Sequence, residues 1–151
     1  MKKQLAVTLP VKDTERSKAF FGALGFSFNP QFSSEHGCGM VVSEDIFVML
    51  CDEAFFGTLT KKPMADPRTS TIALLCLFCD SRAEVDALAA RALSLGATLP
   101  EAPEDHGFMY QHGFEDLDGH MWALTYIADT PAQQPARADE ATVSTRDRRH
   151  P

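Results

Sequence analysis

Imidazole, thiol and carboxylate groups are the side chains with which this chain could do chemistry, and their placement decides which chemistry that would be. The histidines are His36, His106, His112, His120 and His150, and the cysteines are Cys38, Cys51, Cys76 and Cys79. His112 alternates with Tyr110 and Phe108 in a segment of strand character. With Glu115 or His36 it could build a metal or acid–base cluster, because imidazole titrates near neutrality; the alternative is a partly exposed histidine without catalytic duty. His120 follows the Asp118-Gly119 turn and is expected to cap it or to open the next strand. His106 belongs to the acidic stretch Glu104-Asp105-His106, read as a solvated loop or a lid. Cys76 and Cys79 have C-x-x-C spacing but lie in the apolar run Thr71 to Cys79. Strand positions three apart face opposite sides, so both are expected to be buried structural thiols rather than a redox or zinc pair.

The elements that must position these groups follow a repeated grammar. Residues 4–10 predict a strand ended by Pro10, and Asp13 or Thr14 then caps a helix running to Leu24. Strands are expected at 26–29, 36–42 and 46–52. A connection from Glu53 to Ser70 contains Pro63 and Pro67, with room for a helical turn at 54–56. A strand over 71–79 then leads to the capping box Ser81-Arg82-Ala83-Glu84 and an amphipathic helix with Val85, Leu88, Ala92 and Leu95 on one stripe. A short strand near 97–99, an acidic loop over 100–107, and strands at 108–115 and 120–127 complete the unit. Each half reads strand, helix closed by Leu-Gly (Leu24-Gly25, Leu95-Gly96), then three strands, which is the pattern of a duplicated module.

The totals narrow the function classes. A chain of 151 residues with 44% hydrophobic content can bury one real core. Its net charge of −7 argues against nucleic acid as the main partner. No apolar run approaches a membrane span, and the opening MKKQLAVTLPV meets Pro10 and Lys12 too soon for a signal peptide, so the expected location is the cytoplasm. Residues 129–151 carry almost no large apolar side chain and are expected to be a disordered tail.

Several of these segments together resemble one family. Leu9-Pro10-Val11-Lys12-Asp13, Glu15-Arg16-Ser17, Phe20-Phe21, Leu24-Gly25-Phe26 and the closing Phe114-Glu115-Asp116-Leu117-Asp118-Gly119-His120-Met121-Trp122 resemble the vicinal oxygen chelate superfamily. That superfamily holds glyoxalase I, extradiol dioxygenases, fosfomycin-resistance enzymes and bleomycin-resistance binding proteins. The likeness covers residues 4–128. It implies an α+β fold of two tandem βαβββ modules, about 4–52 and 71–128, each curling into a half-barrel sheet.

In metal-using members, ligands project inward from the first and last strands of each module, and the metal polarises two vicinal substrate oxygens. The corresponding positions here fall on Ala6, Met49, Leu74 and Ala123, none of them a ligand for a hard metal. The resemblance therefore implies a metal-free, cofactor-free protein that binds an apolar or aromatic small molecule and assembles as a homodimer to cover its open sheet edges. The candidate ligand-contacting residues are Thr8, Phe47, Met49, Cys51, Leu74, Cys76, Tyr110, His112, Met121, Ala123 and Thr125, with Ala6 and Phe78 on the same lining. The alternative implied reading is a lyase or dioxygenase using a divalent metal on displaced ligands such as His36, His112 and Glu115.

Overall fold

A computed structural model describes residues 2–128; the expected tail, 129–151, lies outside the described residues. Eleven elements follow in order: β1 (Leu5–Val11), α1 (Thr14–Ala23), β2 (Ser27–Ser34), β3 (Gly37–Ser43), β4 (Ile46–Asp52), α2 (Glu53–Gly57), β5 (Leu74–Phe78), α3 (Arg82–Ser94), β6 (Glu104–Asp105), β7 (Met109–Glu115) and β8 (Met121–Ile127). They build two four-stranded sheets with the same order, β1-β4-β3-β2 and β5-β8-β7-β6. In each, the first strand runs parallel to the last and the rest is antiparallel. The duplicated α+β architecture expected from the sequence is the one observed.

Local chemistry sets the boundaries. The Asp13 carboxylate accepts from the Arg16 N–H to cap α1, and Ser81 Oγ accepts from the Glu84 N–H to cap α3. The reciprocal half of the expected capping box is displaced by one residue: the Glu84 carboxylate accepts from Asp80 N–H at 2.6 Å. After Leu24 and Leu95 the chain turns at Gly25 (φ 110°) and Gly96 (φ 107°), a backbone region that disfavours side chains.

Four elements differ from expectation. β2 runs through Pro30 to Ser34, because it is the edge of its sheet, where a residue without N–H is tolerated. β5 begins at Leu74 rather than Thr71. The stretch 97–99 makes only one bridge, Thr98 to Glu115. Glu104–Asp105, expected to be loop, pairs with β7 as β6.

Period-two alternation gives each sheet one face toward a shared core. Val48 and Leu50 of β4 and Trp122 and Leu124 of β8 are buried on that face, under α1 (Phe20, Phe21) and α3 (Val85, Ala89, Ala92). The modules meet there: Phe21 lies 5.2 Å from Trp122 and Phe20 lies 6.2 Å from Phe114, between ring centroids. Arg91 Nε donates to Ala23 O at 2.6 Å across the same junction. The opposite faces are buried at Cys51, Ala123 and Thr125 but open toward the β5 edge. On β5, Leu74 and Phe78 are 56% and 70% exposed. Cys76 between them is also exposed, which corrects the expectation of a buried thiol. β5 is a sheet edge, and among the described residues its outer face is left exposed at these positions.

Candidate functional site

The closing motif is a hub. Asp116 Oδ1 accepts from the Asp118 and His120 N–H groups at 3.0 Å each, and Oδ2 accepts from Trp122 Nε1 at 3.0 Å. Burial pushes the Asp116 carboxyl above its ordinary range, while nearby His120 and these donors pull the other way. Asp118, 2% exposed, reaches into the other module: Oδ1 accepts from Lys12 N–H at 2.9 Å and Oδ2 from the Ser17 hydroxyl at 3.3 Å. The guanidinium groups of Arg16 and Arg68 each stand 3.8 Å from Oδ1. The turn thus ties α1, the inter-module connection and β8 together. His120 Nε2 lies 2.7 Å from Pro10 O. A carbonyl only accepts, so Nε2 is the donor in this pair.

Beside this hub, between β1 and the start of β5 and β8, lies a cavity of about 330 Å³. Its walls are mainly apolar, with Val7, Leu9, Phe56, Leu75 and Met121 joined by Thr8 and His120. The connection between α2 and β5 borders it with Thr60, Pro63, Met64, Ala65 and Pro67. A smaller depression of about 150 Å³ lies on the second sheet, lined by Leu74, His112, Met121, Ala123 and residues 100–102.

The residues expected from the sequence are divided among these places. Thr8 and Met121 line the larger cavity. Leu74, His112, Met121 and Ala123 line the smaller one, and Cys76 Sγ lies 3.1 Å from Thr125 Oγ1 on the same open face. Phe47 and Met49 lie on the open face of the first sheet, where Phe47 packs against Phe32 with centroids 5.3 Å apart; Cys51 is buried. Tyr110 is not brought to this face. Its hydroxyl donates to Asp86 of α3 at 2.6 Å, and the Arg82 guanidinium stacks 5.1 Å above its ring. The reason is register: Tyr110 faces Tyr126 and His112 faces Leu124, whereas Gln111 and Gly113 face Thr125 and Ala123. Cross-strand partners share a face, so Gln111, Gly113 and Glu115, the last paired directly with Met121, are β7 positions on the side of Met121.

Nor do the proposed displaced ligands meet. His36 Nδ1 lies 3.2 Å from Asp52 Oδ2 in the first module, its ring stacked on Phe55. Among the described residues, no three His, Cys, Asp or Glu side chains form a group that could hold a metal. Sequence reasoning missed the part of this connection in the cavity wall, whose signal was apolar Phe56 and Met64 in a proline-containing stretch.

Residues 3–43 match the family model described as bleomycin resistance protein-like N-terminal. No curated protein matches the chain. Among solved structures, a hypothetical protein from S. aureus is similar at 24% identity and TM-score 0.72, over 83% of this chain and 94% of that one. A glyoxalase/bleomycin resistance protein/dioxygenase family enzyme from Burkholderia phytofirmans PsJN is similar at 18% identity and TM-score 0.72, over 83% and 99%. TnmS3, an antibiotic binding protein from Streptomyces sp. CB03234, is similar at 23% identity and TM-score 0.61, over 85% and 98%.

Proposed function

We propose that this chain, which has the fold of the vicinal oxygen chelate superfamily, is a small-molecule-binding protein that works without a metal. The observation that carries this reading is the cavity of about 330 Å³ with apolar walls, within the size range of small-molecule sites, roughly 300–1,000 Å³. Occupation of the family's ligand positions by Ala6, Met49, Leu74 and Ala123 supports it. So does the likeness to a protein named for antibiotic binding. The ligand is an apolar or aromatic molecule, matched to the mainly apolar walls. A homodimer accompanies the site. Exposed Leu5, Leu74 and Phe78 (59%, 56% and 70%) give a second chain apolar surface to cover.

The test is a titration with anilinonaphthalene sulfonate or indole, followed by the exposed wall variant Ala73→Trp, which fills the cavity. Saturable binding weakened about tenfold or more by the variant is expected. Equal binding by both proteins refutes the site.

A further inference from the structure

We propose that residues 58–73 are a gate at the rim of the cavity, fastened by a latch in which Arg68 and Pro67 seat on Asp118 and Gly119. The inference rests on the cavity being the ligand site, and it assigns how that site opens.

Residues 58–73 carry no helix or strand between α2 and β5, yet they supply one side of the cavity. At the start of the segment, Thr58 and Leu59 N–H groups donate back to α2, to Phe55 O and Phe56 O. From Thr60 to Ala73, the hydrogen bonds among the described residues stay inside the segment. Lys62 N–H donates to Thr60 Oγ1, and Thr71 Oγ1 donates to Ala73 O. Arg68 N–H donates to the Asp66 carboxylate, and the Thr69 and Ser70 N–H groups donate to Asp66 O. These fold the strap onto itself without fastening it to the sheets.

Among the described residues, the polar fastening to the body is at Asp118. Arg68 Nη2 lies 3.8 Å from Asp118 Oδ1. A Cβ built on Gly119 would stand 2.7 Å from Pro67 O and 2.9 Å from Arg68 Cα, so the strap rests directly on bare backbone. The two partners differ in freedom. Asp118 is a fixed post, its side chain 3% exposed and bonded to Lys12 N–H and Ser17 Oγ, whereas the Arg68 side chain is 39% exposed. A segment with few bonds to the body opens locally at low cost, without global unfolding. A half-exposed ion pair is also weakened by salt.

Hydrogen–deuterium exchange on the full chain tests the latch without any ligand. Arg68→Ala should speed exchange in peptides spanning 58–73 by about two- to fivefold, and about 1 M NaCl should do the same to the unaltered protein. Lys62→Ala, a strap cation outside the ion pair, should leave it unchanged. Gly119→Ala should act in the same direction as Arg68→Ala by displacing Pro67. Unchanged exchange in 58–73 with Arg68→Ala overturns the proposal, as does a rise spread equally over α1 and β8.

Stopped-flow binding of anilinonaphthalene sulfonate gives the second readout. Arg68→Ala should raise association and dissociation rates together and leave Kd nearly constant; a changed Kd at constant association rate overturns the gate. Absence of probe binding to the unaltered protein would refute the proposed function, while the exchange result would still decide the latch.

Discussion

Replacing Asp118 by Ala is the sharpest test of how the two modules are held together. The carboxylate is 2% exposed and accepts from Lys12 N–H and Ser17 Oγ, both in the first module. Hydrogen bonds to a charged group contribute about 1.5–3 kcal/mol each, and losing the acceptor also leaves buried donors unsatisfied. The Arg16 and Arg68 arms are longer, at 3.8 Å, with half-exposed guanidinium groups. Together they add less than about 1 kcal/mol after solvent screening. The expected loss for Asp118→Ala is therefore about 3–5 kcal/mol, a large share of a single domain's stability. Asp118→Asn keeps an oxygen for Lys12 and loses the charge, so it should cost about 1–2 kcal/mol. Urea unfolding measures both as a shift in midpoint at constant slope. Ser17→Ala in the Asp118→Ala background should add little, because the bond it removes is already gone. A loss below about 1 kcal/mol for Asp118→Ala, or full additivity with Ser17→Ala, would refute the clasp.

Other expectations follow from the same geometry. Exposed Cys76 should be alkylated first at pH 8, while buried Cys38 and Cys51 stay protected and Cys79, its thiol pushed up to about 11 mainly by burial, stays protonated; peptide mass spectrometry reads the order. Asp52 caps α2 and is held below its ordinary value of 3.8 by the Phe55 N–H first, with help from His36. Because its folded value is depressed, the stability it contributes is present above 3.8 and lost as pH falls below it. Exchange in residues 53–57 should rise there. Addition of Zn²⁺, Ni²⁺ or Mn²⁺ should leave Tm unchanged, and a rise that saturates with metal would revive the displaced-ligand reading.

Much of the architecture could be read from local signals. Asp13, Ser81, Gly25 and Gly96 mark helix ends by short-range chemistry, and the Leu-Gly repeat discloses the duplication because each module solves the same packing problem alone. The apolar character of Ala6, Met49, Leu74 and Ala123 was equally plain, being a matter of residue identity. The site was less legible, because its geometry depends on pairing and on distance in space. Which β7 residues face Met121 is a question of register: a shift of one residue exchanges Tyr110 and His112 for Gln111 and Gly113, and no local preference distinguishes the two. Where the cavity lies depended on a connection without periodicity, residues 58–73, folding over β1 and β8. Residue types alone determined what this protein's walls are made of; only the tertiary structure decided which walls face each other, because contacts between residues far apart in the chain are set by the packing of the whole core.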